Sequence, residues 1–115
     1  MITVSGIEIK YSELLEIAQG SPQVGQITVN GIKLEGRYTG PALFDGKYLY
    51  IPRLEKKLFT NYFQLVQIDT ETQIQRKIGE LHHLIWIQRI QDQTLYFNDS
   101  IDQIKLLSYL IEGDT

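Results

Sequence analysis

The chain contains no cysteine, only three prolines, one methionine and one tryptophan in 115 residues. Without cysteine there is no disulfide framework, no thiolate metal site and no cysteine nucleophile. That suits a reducing cytosol and is equally compatible with secretion. Long hydrophobic runs are also missing. The most apolar stretch, Leu81–Ile87, is interrupted by His82 and His83 and is far too short to span a bilayer. The start, Met1-Ile2-Thr3-Val4-Ser5-Gly6, lacks the basic region and continuous apolar core of a signal peptide. No Gly-rich loop opens a helix, and neither a Walker pattern nor a dinucleotide fingerprint occurs. These absences predict a cytoplasmic chain with no cofactor and no membrane partner.

What is present fits one globular domain, residues 1–115. The length lies in the usual single-domain range, and an apolar share of 43% is enough for a core. A net charge of −3 argues against a broad basic face for nucleic acid. The charge is unevenly spread. From Asp92 to the end, Asp92, Asp99, Asp102, Glu112 and Asp114 face only Lys105. From Lys47 to Lys77, six bases face Glu55, Asp69 and Glu71. Ordinary solvated surfaces scatter by this much, although a partner could exploit it.

The middle of the chain reads as a β-ladder. Tyr48–Ile51, Tyr62–Ile68, Gln73–Ile78, Leu84–Ile90 and Leu95–Phe97 are separated by Asp45-Gly46, Asp69–Thr72 and Gln91–Gln93, which are turn residues. A hairpin text occurs twice: Ile2-Thr3-Val4-Ser5-Gly6-Ile7-Glu8-Ile9 is echoed by Ile27-Thr28-Val29-Asn30-Gly31-Ile32-Lys33-Leu34. Asn30-Gly31 suits a type I′ turn. Pro52 should end its strand or hold it at a sheet edge, and Arg53–Lys57 should be a charged loop or a single helical turn. Two helices are expected. One spans 12–19, with Ser12 as cap and Leu14, Leu15 and Ala18 on one face; Gly20 and Pro22 stop it. The other spans 100–111, with Ser100 and Gln103 as a capping box and Ile101, Ile104, Leu107, Leu110 and Ile111 as an apolar stripe. The expected fold is therefore α+β: a mainly antiparallel sheet or meander, as sandwich or half-barrel, with the C-terminal helix packed on it.

Candidate chemistry is sparse. His82 and His83 are adjacent in a strand, so their rings point to opposite faces and cannot share a metal. Asp69 and Glu71 sit at a solvated hairpin tip, where neither carboxyl would be raised for acid–base work. Arg53, Lys56 and Lys57 beside Phe59, Tyr62 and Phe63 could pair with phosphates and stack bases, but Phe59, Phe63 and Leu65 are more economically core. Trp86, between Ile85 and Ile87, reads as a core strand residue. No enzyme is expected.

The strand–turn–strand run Leu65-Val66-Gln67-Ile68-Asp69-Thr70-Glu71-Thr72-Gln73-Ile74, followed by Leu84–Ile90 and Leu95–Phe97, resembles bacterial immunity proteins paired with contact-dependent growth-inhibition toxins. The resemblance implies a non-catalytic protein that neutralises a cognate cytotoxic toxin, for example a nuclease, by covering its active site or substrate surface. It assigns no residue. Local charge supplies the candidates: Asp92, Asp99 and Asp102, with Tyr96 as aromatic anchor, facing a basic toxin. Two other classes remain open: a small-molecule-binding or regulatory β-domain with an apolar pocket between sheet and helix, and a nucleic-acid module using Arg53, Lys56 and Lys57. Direct nucleic-acid binding is the least expected of these.

Overall fold

Eleven strands and no helix make up the regular structure of the described residues, which in this computed structural model are 2–4, 7–16, 23–58, 60–99 and 106–111. In chain order the strands are β1 (Ile2–Val4), β2 (Ile7–Glu16), β3 (Gln23–Val29), β4 (Ile32–Lys33), β5 (Leu43–Phe44), β6 (Tyr48–Lys57), β7 (Thr60–Asp69), β8 (Gln75–His82), β9 (Trp86–Gln91), β10 (Thr94–Asn98) and β11 (Leu107–Leu110). They form three antiparallel sheets, ordered β1-β2-β3-β4, β5-β6-β7-β8 and β11-β10-β9.

Strand alternation explains how the second sheet serves two cores. Leu49 pairs with Ile68 and Ile51 with Val66, so these four share one face; they pack with Ile7, Ile9, Ile27, Val29, Leu34 and Tyr38. Tyr50, Phe63 and Leu65 fall on the other face and pack with Ile85, Ile87, Leu95, Phe97 and Ile111. Each aliphatic side chain buried this way contributes roughly 1.5–3 kcal/mol. Tyr38 joins the first two sheets through single bridges to Gly25 and Arg53.

Both twice-written hairpins form the expected pairs, Ile2↔Ile9 and Val29↔Ile32. At the second turn Asn30 and Gly31 take φ of 49° and 85°, as a type I′ turn requires. The Asn30 side chain also accepts the Glu8 N–H at 3.1 Å.

The α+β expectation is overturned. Over 12–16 the chain continues as β2, paired with β3 through Leu15↔Val24 and Glu16↔Gln23. A bulge between Ser12 and Leu15, with Glu13 at φ 53°, shifts the alternation and gives the apolar text a helical look. Residues 17–19 lie outside the described part. The predicted helix over 100–111 is likewise a strand where it is described. Leu107, Tyr109 and Ile111 turn inward, while Leu106 and Leu110 stay exposed on the other side of the strand. Apolar residues on both faces imitated a period of three to four. Residues 100–105, including Asp102, lie outside the described part.

Two further expectations change. Arg53–Lys57 is strand, pairing down to Lys57↔Thr60. Pro52 does not end β6: its carbonyl accepts the Thr39 N–H at 3.1 Å, so its missing N–H faces the Tyr38 segment and the β7 ladder loses nothing. Trp86 is 42% exposed, with only Ile85 and Ile87 turned to the core.

Candidate functional site: the outward face of the third sheet

Leu95 and Phe97 point into the core, so Thr94, Tyr96 and Asn98 lie on the opposite side of the strand, where Thr94 and Tyr96 are half-buried and Asn98 is buried. Register places their partners on the same outward face: Gln91 and Leu110 beside Thr94, Arg89 and Ser108 beside Tyr96, and Trp86 beside Asn98. A bulge at the Tyr96/Phe97 position gives β9 one extra residue, Gln88. Its amide donates to Asn98 Oδ1 at 2.5 Å.

Tyr96 lies at the centre. The Arg89 guanidinium sits 4.5 Å from its ring centroid, a cation–π contact that holds both side chains against the sheet. Trp86 at 42% and Leu110 at 68% exposure flank the pair along the face. Tryptophan, tyrosine and arginine together have the composition of protein-binding hot spots, offering large stiff area at small entropic cost.

Of the predicted residues Asp92, Tyr96, Asp99 and Asp102, the first three are described, and Asp92 and Asp99 lie at opposite ends of β10; Asp102 lies outside the described part. Asp92 occupies the β9–β10 turn, where Asp92 and Gln93 take φ of 52° and 59°. Asp99 follows the far end of β10. At about 3.4 Å per residue the two carboxylates are separated by roughly 20 Å of strand, with Tyr96 between them. Asp99 instead faces His82, its Oδ2 lying 3.7 Å from Nδ1. Sequence reasoning missed Trp86, Arg89 and Leu110. Arg89 was within reach: a two-residue Asp92-Gln93 turn forces Gln91 opposite Thr94 and hence Arg89 opposite Tyr96.

The two histidines diverge. His83 packs its ring against Tyr62 at 4.9 Å, whereas His82 meets Phe97 at 5.1 Å and accepts or donates at Tyr109 Oη at 2.9 Å. Asp69 is a turn former, its Oδ1 accepting the Glu71 and Thr72 N–H groups at 2.8 and 3.2 Å. Among the described residues no group of three His, Asp or Glu could hold a metal, and no helix is long and apolar enough to cross a membrane.

An open groove of about 430 Å³ lies between β4 and β8, lined by Ile32, Leu34, Glu35, Arg53, Gln73 and Gln75 with Lys33 at its rim. Two of its polar side chains, Arg53 and Gln75, are joined by hydrogen bonds. Arg53 donates from Nε and Nη2 to the Glu55 carboxylate at 3.0 and 2.5 Å and from Nη1 to Gln75 Oε1 at 2.6 Å. Gln75 donates to the Tyr38 hydroxyl at 2.7 Å, and that hydroxyl donates to the Glu35 carbonyl. Burial raises the Tyr38 phenol, with Gln75 and Arg53 opposing the shift. The same chain of bonds takes Arg53 away from any phosphate, leaving only Lys56 and Lys57 of the predicted nucleic-acid trio exposed. No family model, curated protein or solved structure matches this chain.

Proposed function

We propose that the chain is a non-catalytic binding protein that docks a protein partner on the outward face of the third sheet, with Tyr96 as its anchor. The Arg89–Tyr96 stack carries this reading, because it holds a stiff, half-buried aromatic between the exposed Trp86 and Leu110. A partner covering that face would desolvate Tyr96 at the centre and leave Asp92 on the rim, the arrangement in which a few buried anchors dominate affinity. The kind of partner follows from the immunity-protein resemblance: a cytotoxic enzyme whose active site or substrate surface is covered. A basic partner would be steered by the acids of the C-terminal third.

The test is affinity purification of the tagged chain from its native cells. A stoichiometric second protein is expected, retained by the wild type and lost with Tyr96→Ala at unchanged thermal stability. Recovery of a small molecule in place of a protein, or retention that ignores Tyr96→Ala, would overturn the proposal.

A further inference from the structure

The β6–β7 hairpin runs beyond its own sheet. The Tyr38 segment reaches β6 only as far as Leu54, whose N–H donates to the Arg37 carbonyl at 2.7 Å, and β8 reaches β7 only as far as Phe63. Past those points Glu55↔Tyr62, Lys56↔Asn61 and Lys57↔Thr60 continue as a two-stranded ribbon. Between Lys57 and Thr60, Leu58 is described and Phe59 lies outside the described residues.

Leu58 is unusual on two counts. It is 94% exposed, the most exposed large apolar side chain described, and it holds φ at 52°. A left-handed backbone costs a β-carbon-bearing residue roughly 1–2 kcal/mol, which is why such turns prefer Asn, Asp or Gly. The chain's own turns at Asn30-Gly31 and Asp92-Gln93 follow that preference more closely. At the β6–β7 tip the chain accepts both backbone strain and an apolar residue in water. Strain retained in an exposed segment is a pointer to function.

The charges around the tip narrow its occupant. Lys56 and Lys57 are exposed and pair across the ribbon with neutral Asn61 and Thr60. The acid nearest in sequence, Glu55, is held by Arg53 at 2.5 Å and by Lys77 at 3.8 Å. The ribbon end is thus basic on a chain of net charge −3. Successive strand residues point to opposite faces, so the two ammonium groups flank the tip from both sides, within about 7 Å of Leu58 along the ribbon. A pocket on a protein has no need of cations on both sides of the entering residue. A planar anionic surface does: apolar groups enter such an interface by about 5–10 Å while lysines stay at head-group level.

We propose that the β6–β7 tip is a weak, reversible contact for anionic bilayers, seating Leu58 among the acyl chains and Lys56 and Lys57 among the phosphates. The site is separate from the Tyr96 face. The sequence expectation of no membrane partner rested on the lack of a long apolar run, which bears on spanning and not on a hairpin tip.

Co-sedimentation of the full chain with phosphatidylcholine vesicles, with and without phosphatidylserine, tests this. Binding to the mixed vesicles alone is expected, weakening as salt is added. Leu58→Asn is the decisive variant, because asparagine suits the positive φ: the protein should be at least as stable, yet bind about tenfold less. Lys56→Gln with Lys57→Gln should also lower binding to mixed vesicles by about tenfold. Equal sedimentation with both vesicle types, no sedimentation, or full binding by stable Leu58→Asn would each overturn the proposal.

Discussion

The Tyr109 hydroxyl lies 2.9 Å from Nε2 of His82, bonding the edge strand of the third sheet to the last residue of β8. That oxygen also accepts the Glu80 N–H at 3.0 Å. On its other side, His82 Nδ1 lies 3.7 Å from Asp99 Oδ2. Removing the hydroxyl alone, as in Tyr109→Phe, frees a backbone N–H that water can reach. We expect a loss of about 1 kcal/mol in urea unfolding at unchanged m-value. Tyr109→Ala also removes a ring stacked on Phe97 at 5.3 Å and should cost about 3 kcal/mol or more.

Gly79 provides the seat for that ring. Its φ is 71°, and a β-carbon placed there would fall 2.1 Å from the Tyr109 ring. Gly79→Ala therefore meets a left-handed backbone and a clash together, and should cost more than about 2 kcal/mol. In a Tyr109→Ala background only the backbone part, about 1 kcal/mol, should remain. Strict additivity of the two substitutions in a double-mutant cycle would show that the ring does not rest on the glycine.

Much of the β-ladder was legible in the sequence because turn chemistry is local: Asn30-Gly31 and Asp69–Thr72 mark their hairpins without help from the rest of the chain. The helices were misread where two physical signals mimic each other. A bulge after Ser12 moves the inward phase by a residue, and exposed Leu106 and Leu110 fill the face that alternation expects to be polar. Trp86 misled for the same reason, since an Ile-Trp-Ile run looks buried on both sides whichever side is covered. The candidate site was visible only as Tyr96. Its neighbours come from pairing register and from the exposure of Trp86 and Leu110 on one side of the third sheet, and neither is written in local composition.

Burial pushes the Tyr11 and Tyr50 phenols up to about 12 and raises Tyr38 as well. Unfolded tyrosine ionises near about 10, so the folded chain holds protons that the unfolded chain would release. The stabilisation is complete below about pH 10 and is lost as pH climbs toward 12. Alkaline unfolding should therefore be cooperative and coincide with a step of tyrosinate absorbance. Tyr50 donates to Asp45 at 3.2 Å and accepts from Gln67 at 2.9 Å, so Tyr50→Phe should flatten the pH dependence while lowering stability at neutral pH. A smooth titration near 10 with the fold intact would contradict the burial of these phenols.

The proposed docking face predicts different kinetic signatures for its centre and its rim. Tyr96→Ala removes the ring on which Arg89 rests, and a desolvated anchor of this kind is worth about 2 kcal/mol, equivalent to a dissociation rate about thirtyfold higher. Asp92 sits in the turn at the edge of the face, where a charge acts during approach more than in the complex. Asp92→Asn keeps a residue suited to the turn's positive φ, so folding should be unaffected. If the partner is basic, its association rate should fall about two- to threefold and lose part of its salt dependence. Asp99 does not belong with it: its carboxylate faces His82, so Asp99→Asn should register in urea unfolding before it registers in binding. Surface-plasmon kinetics at two ionic strengths would separate these effects. A dissociation rate unchanged in Tyr96→Ala would place the interface off the third sheet.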